Sequence, residues 1–140
     1  MDGFNRLKIP VEEFTSPSPV LVDENQTAVE ALSLMAKHEC RHIPVMSQGR
    51  LSGIISDRDI FRGASVHEAN EPLKVKDLMT KEVYRVSRKE NLDKVVFTMS
   101  DKKIGSAIVE DKDDDFFGIF TSTDALNALV EIMRGEIPLD

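Results

Sequence analysis

The sequence predicts an α/β fold written twice, as two consecutive β-α-β-β-α units within 140 residues. Three observations predict it. One phrase occurs in two forms, GIISDRDIF from Gly53 to Phe61 and GIFTSTDAL from Gly118 to Leu126, 65 positions apart. The likeness extends upstream of both phrases through several elements, as a true internal repeat requires. Within each half, apolar residues recur first at helical spacing and then as short strand-like runs.

The first copy runs PVLV from Pro19, DENQTAVEALSLMAKHE, CRHIPVM, QGRLSGIIS and DRDIFRGA. The second runs VYRV from Val83, SRKENLDKVVFTMSD, KKIGSAIVE, DKDDDFFGIFT and STDALNALVEIM. Offsets of 64 at Pro19/Val83 and Met35/Met99, 63 at Pro44/Ala107 and 65 at Gly53/Gly118 imply one residue lost before the first core strand and two gained in the next turn. Ala28, Ala31, Leu32 and Met35 make one apolar helix face, matched by Leu92, Val95, Val96 and Met99. Asp23 or Asn25, and Ser87 in the second copy, are the candidate N-caps, because a short oxygen-bearing side chain accepts from the first unpaired amides.

HIPVM and GSAIV are apolar strands, SQGR and DKDDD turns, and LSGIIS and FFGIFT the next strands. A glycine near the start of each later strand leaves room for a neighbouring backbone or a ligand. Met35, Met79, Met99 and Met133 fall in apolar patterns and read as core filler. Short turns at Val11–Phe14 and Val75–Met79 lead into the copies, with Phe14 and Met79 as lids on the cores. The domains are thus residues 11–62 and 75–134, joined by a linker at 63–74. The last helix runs from about Thr123 to Met133 and closes near Gly135. Its Ala125, Leu126, Leu129, Val130 and Met133 exceed what one small core needs, which points to a partner surface.

Composition narrows the function. With 25 acidic and 18 basic residues the formal charge is −7, which argues against a broad nucleic-acid surface, since phosphate backbones reward positive charge. No run of about 18 apolar residues is present to span a membrane, and charges interrupt the N-terminal MDGFNRLKIPVEEF where a secretory signal would be apolar; the expected location is the cytoplasm. The single cysteine, Cys40, forms no internal disulfide and is either a partly buried structural thiol or a reactive one. His38, His42 and His67 with Cys40 do not reproduce a zinc spacing, and no metal site is expected. Neither a Gly-rich loop ending Gly-Lys-Ser/Thr, nor HExxH, CxxC or GxSxG occurs, so the chain does not read as an enzyme.

The repeated phrase has two physical readings. Ser56 and Asp59, like Thr121 and Asp124, place a hydroxyl at a strand end three residues before a carboxylate in the first helical turn. Hydroxyl and helix amides suit phosphate, and the carboxylate suits the vicinal hydroxyls of a ribose. Equally, Ser, Thr and Asp cap helices without any ligand. Arg41, His42 and Arg58 add cationic character to the first copy. The second offers Lys103 and Thr123, so the cavity with Asp59 should accept a longer phosphate chain than the one with Asp124.

Pro19-Val20, the helix ending at Met35, Arg41-His42-Ile43-Pro44-Val45, Gly53-Ile54-Ile55-Ser56-x-x-Asp59 and Gly118-Ile119-Phe120-Thr121-x-x-Asp124 together resemble a tandem pair of cystathionine-beta-synthase (CBS) domains. The resemblance covers about residues 11 to 134. It implies two pseudo-symmetric β-α-β-β-α units packed through their sheets, with two clefts that take AMP, ADP, ATP or S-adenosylmethionine, and a regulatory role instead of catalysis. By that resemblance one site would join Arg41, Ser56, Arg58 and Asp59 to Val83, Tyr84, Ser106 and Ala107. The other would join Lys103, Thr121, Thr123 and Asp124 to Pro19, Val20, Ile43 and Pro44. The resemblance also implies a homodimer formed through helices and a separate, unidentified protein as the regulated partner. Ser56 replaces the commoner Thr with Asp57 adding negative charge beside it, and the second copy lacks an arginine-histidine equivalent, which favours one occupied site or two of unequal affinity. The alternative is a ligand-independent dimerisation or interaction scaffold.

Overall fold

A computed structural model describes residues 8–17, 20–66 and 72–137, and in it the repeat becomes two three-stranded sheets, each with its own helices and core. The first sheet comprises β1 (Val22–Asp23), β2 (His42–Ser47) and β3 (Arg50–Ser56), with α1 (Ala28–His38) crossing from β1 to its parallel neighbour β2. β2 and β3 form an antiparallel hairpin, and α2 (Asp57–Ala64) follows directly. A short α3 (Val75–Leu78) completes this unit. The second sheet repeats the plan with β4 (Arg85–Ser87), α4 (Leu92–Lys102), β5 (Ser106–Glu110), β6 (Phe116–Thr121) and α5 (Ser122–Met133).

Register corrects the repeat arithmetic. Val22 pairs with Val45 and Ile43 with Ile55, while Val86 pairs with Val109 and Ala107 with Phe120. The offset therefore stays at 64 from the first strand through the second, and the counterpart of Pro44 is Ile108, not Ala107. No residue is lost before β2; the extra residue lies in the hairpin alone. There the first copy turns through Gln48 and Gly49 with φ of 49° and 78°, and the second uses a single 3-10 turn at Lys112–Asp114.

The N-caps also differ from the expectation. Thr27 caps α1, its hydroxyl accepting from the Glu30 amide at 3.1 Å while Glu30 Oε1 accepts from the Thr27 amide at 3.0 Å. Asn91 stands at the same place before α4 without a side-chain cap. Asp23 Oδ1 instead accepts from Asn25 N, and Ser87 Oγ from Lys89 N; both stabilise the turn that separates strand from helix.

The compact units do not follow sequence order. Among the described residues, 8–17 group with 84–137, and 20–66 with 72–83 form the other unit. Val11 is fully buried among Val86, Leu92, Val95, Val109 and Phe120, the core of the second repeat, and Phe14 packs against it. Val75 is fully buried among Val22, Ala31, Ile43, Val45 and Ile55, the core of the first, with Met79 packed alongside. The lead-in turns are thus exchanged: Phe14 covers the second core and Met79 the first. Part of the predicted linker is structured, because α2 runs to Ala64 and the Leu73 carbonyl accepts from Ala28 N at 2.8 Å; its residues 67–71, with His67, lie outside the described residues.

The end of each lead-in pairs with a later strand. Ser16 bridges to Ile119 and Thr80 to Ile54. A Cβ on Gly118 would overlap the Ser16 carbonyl, and one on Gly53 the Thr80 carbonyl. The repeated glycine is therefore required by backbone approach. Met35 and Met99 are buried, as core filler should be, but Met133 is 76% exposed. It lies on α5 with exposed Leu126, Leu129 and Val130, so its apolar pattern belongs to the helix surface and not to the core.

Candidate functional site

Both strand-to-helix junctions have the same construction. β3 ends at Ser56, which is the N-cap of α2, and the Asp57 amide donates to the Arg41 carbonyl at 3.1 Å. β6 ends at Thr121, the N-cap of α5, and the Ser122 amide donates to the Gly105 carbonyl at 3.0 Å. These bonds fasten each helix start to the beginning of the neighbouring strand, so the following carboxylate takes a fixed position.

At the first junction Asp59 Oδ2 accepts from the Ser56 amide at 3.0 Å, and Ser56 Oγ accepts from the Asp59 amide at 3.1 Å. At the second, Asp124 Oδ2 accepts from the Thr121 amide at 2.8 Å and from the Thr121 hydroxyl at 3.1 Å. The capping reading of the phrase is therefore realised in both copies. Each box uses one carboxylate oxygen; Oδ1 of Asp59 and of Asp124 accepts no hydrogen bond from another described residue. That oxygen is the acceptor a ligand hydroxyl would use.

The surroundings of the two acids differ in charge. Arg41 and Arg58 are exposed near the Asp59 junction, and His42 pairs across the hairpin with Ser56. Burial holds the His42 imidazole below its ordinary value, against the opposing pull of Asp57 and Asp59. By register, the counterparts in the second copy are Gly105 for Arg41 and Ser106 for His42, and Thr123 stands in the place of Arg58. None of the three is cationic. Burial raises the Asp124 carboxyl above its ordinary value, with the Thr121 hydrogen bonds working the other way.

The remaining predicted residues fall in varied places. Lys103 is exposed at the C-cap of α4 with φ of 55°, the counterpart of Glu39 at φ of 52°, and so is not the equivalent of Arg41. Ala107 and Ile43 are fully buried in the cores of their units, and Pro44 is fully buried as well. Val20 packs against the first core, and Val83 is half-buried. Tyr84 packs on the second core, its carbonyl accepts from Ile108 N at 2.7 Å, and Lys102 Nζ lies 5.9 Å from its ring. Ser106 is half-buried opposite Thr121, and Thr123 is exposed. Pro19 lies outside the described residues.

The sequence reading missed one wall. Within the second unit a depression of about 620 Å³ opens beside Asp124, with Glu13, Phe14, Thr15 and Ser16 on one side and α5 residues including Asn127 and Val130 on the other. Sequence order assigned the lead-in to the other half. The one signal for its true place was Gly118, whose missing side chain marks an approaching backbone.

A doubled β-α-β-β-α fold with a capped carboxylate at each strand-to-helix junction defines a repeat-built module of two similar halves. The family described as CBS domain matches residues 11–65 and 75–131, and the chain belongs to that family. Among curated proteins it is similar to a homoserine O-acetyltransferase of Methanocorpusculum labreanum, 31% identical over 80% of this chain and 22% of that protein. It is likewise similar to an L-aspartate semialdehyde sulfurtransferase of Methanocaldococcus jannaschii, 29% identical over 81% of this chain and 22% of that one. The chain thus spans about a fifth of the length of these relatives. Among solved structures, the CBS domain pair of protein MJ0100 in complex with 5′-methylthioadenosine and S-adenosyl-L-methionine superimposes with a TM-score of 0.80 at 27% identity, covering 90% of this chain and 99% of that one. The acetoin utilization protein AcuB from Vibrio cholerae gives a TM-score of 0.83 at 24% identity, with 94% and 99% covered, and shares the fold.

Proposed function

We propose that the chain is a regulatory module that binds an adenosine-derived ligand and acts on a separate protein, without catalysis of its own. The observation that carries this reading is the paired, half-used carboxylates: Asp59 and Asp124 are each fixed by a cap through Oδ2 and keep Oδ1 for a sugar hydroxyl. The likeness to a CBS pair that holds 5′-methylthioadenosine and S-adenosylmethionine supports adenosine as the common element. The sequence domains 11–62 and 75–134, the linker 63–74 and a cytoplasmic location belong to the same proposal.

Ser56, Arg58, Asp59 and Arg41 would form the first site with Val83, Tyr84, Ser106 and Ala107. Thr121, Thr123, Asp124 and Lys103 would form the second with Pro19, Val20, Ile43 and Pro44. Local charge sorts the ligands: the cationic junction at Asp59 suits AMP, ADP or ATP, while the junction at Asp124 suits a nucleoside without phosphate, such as S-adenosylmethionine. Binding regulates a partner insofar as the ligand prefers one arrangement of the module over another.

The test is calorimetric titration of ligand-free protein with AMP, ADP, ATP, S-adenosylmethionine and 5′-methylthioadenosine, repeated on Asp59→Ala and Asp124→Ala. The reading expects binding, with each variant losing one component. Flat titrations throughout would remove it. A second reading, a homodimerisation scaffold indifferent to ligand, is favoured by Leu126, Leu129, Val130 and Met133, all exposed on α5. Light scattering that shows a dimer unchanged by every ligand, and abolished by Leu126→Glu, would select it.

A further inference from the structure

We propose that Glu12 is a positioning residue for the depression beside Asp124, holding residues 13–16 in place as its wall; the ligand part of this claim rests on the adenosine reading of that site. The Glu12 side chain is 16% exposed and meets two cations. Its Oε1 accepts from Arg88 Nη2 at 2.9 Å and Nε at 3.2 Å, and Lys89 Nζ stands 2.7 Å from Oε2. Arg88 is itself held in place by Asp111 at 2.9 Å and by the face of the Phe117 ring, 4.2 Å from its centroid. The guanidinium is therefore held against the second unit by partners other than Glu12.

What Glu12 secures is a short span between two anchorages. Upstream, Val11 N donates to Glu90 O at 2.8 Å and Glu12 N to Arg88 O at 3.1 Å. Downstream, the span is tied by the Ser16 and Ile119 amides, whose reciprocal bonds are long at 3.2 and 3.4 Å. Between these points the Thr15 hydroxyl donates to Val11 O at 2.8 Å, which closes the turn on itself without attaching it to the sheet. Glu12 thus supplies the side-chain attachment at the upstream end. Ile119 lies two residues before Thr121, whose amide and hydroxyl hold Asp124. A physical chain runs from the Glu12 carboxylate through Ser16 and Ile119 to the acid that faces the depression.

The test uses the full chain with Glu12→Gln, which keeps shape and removes charge, beside Val95→Ala as a control that weakens the same core from α4 without touching the lead-in turn or the ion pairs. Without ligand, amide exchange at Ser16 and Ile119 should quicken roughly two- to tenfold in Glu12→Gln, the net worth of an ordinary hydrogen bond, while Ile108 stays unchanged. Unchanged exchange at Ser16 and Ile119 overturns the proposal. With 5′-methylthioadenosine, affinity should fall several-fold in Glu12→Gln but not in Val95→Ala, and the wild-type advantage should shrink at 1 M salt without vanishing, because partly buried ion pairs are only partly screened. Faster exchange with unaltered affinity overturns the coupling to the site. If the wild type binds neither 5′-methylthioadenosine nor S-adenosylmethionine, the adenosine reading of the Asp124 site falls, and the exchange measurement alone decides whether Glu12 sets the wall.

Discussion

Gly118 lies against the Ser16 carbonyl so closely that no side chain fits between them. This contact explains why the repeated phrase begins with glycine, since Gly53 stands in the same relation to Thr80. The neighbour is main chain, which cannot swing aside as a flexible side chain would. Gly118→Ala and Gly53→Ala should each cost about 1–3 kcal/mol, as overpacking does. Urea unfolding of either variant within 0.5 kcal/mol of wild type, roughly the scale of a neutral surface change, would contradict the close approach.

Thr27 and Asp23 make a paired test of the first helix. Thr27→Ala removes one half of a capping box and should cost about 1 kcal/mol. Asp23→Ala removes one turn bond to Asn25 N and should cost less. A larger loss at Asp23 in chemical denaturation would return the cap to the position the sequence pattern suggested.

Removing residues 1–17 should weaken the second unit, because Ile9 and Val11 leave its core and Phe14 leaves its edge. Burial of Ile9 and Val11 is worth about 1.5–3 kcal/mol each. Hydrogen exchange should register the loss in β5 and β6 before β2 and β3. Equal protection in both sheets after the deletion would refute the exchanged packing of the lead-in turns.

Asp124 and Glu12 should give opposite pH signatures. The Asp124 carboxyl is raised above 3.8 by burial, so the folded state holds its proton more tightly than the unfolded chain does. That contribution to stability is present in acid and lost as pH rises through the folded pKa. Asp124→Asn should therefore gain on wild type over that rise. Glu12 is lowered from 4.5, first by Lys89 and then by Arg88, so its contribution is present above 4.5 and lost as pH falls through the folded value. The deficit of Glu12→Gln should shrink over that fall. Urea midpoints measured from pH 2 to 7 (a span that brackets ordinary carboxylate pKa values of about 4) check both signs, and parallel trends would disprove the assignment.

Cys40 packs at the edge of the first core, and burial raises its thiol above 9.0. Because the thiolate is the nucleophile, Cys40 should react with iodoacetamide at pH 8 more slowly than free glutathione. A faster reaction would revive the reading of Cys40 as a reactive thiol.

The helices and strands were legible because their signals are local. Ala28, Ala31 and Met35 sit on one helix face, and Ile43, Val45 and Ile55 enter the core at strand spacing, all visible as apolar period. The strand-to-helix junctions were legible for the same reason, since Ser56 with Asp59 and Thr121 with Asp124 lie within one turn of each other. Thr27 with Glu30 was equally local, a capping box overlooked in favour of the more polar stretch just before it. Exchange of the lead-in turns could not be read this way: Val11 and Val75 occupy equivalent places in the repeat, and their partners Val86 and Val22 are distant in sequence. Glu12 with Arg88 spans 76 positions, so no window of periodicity joins them. Met133 misled because an apolar stripe looks the same whether it faces a core or the outside.

The exchange has a consequence for synthesis. Ile9, Val11 and Phe14 leave the ribosome ahead of the first unit, yet the strands that shelter them, β4 to β6, are translated only after the whole of that unit. At about 5–20 residues per second, this apolar segment waits for seconds with its docking place unmade, while the unit between them has time to form. Nascent chains should accordingly be most exposed to chaperone capture or misassembly at this lead-in segment, and that hazard ends only when the β5–β6 hairpin emerges.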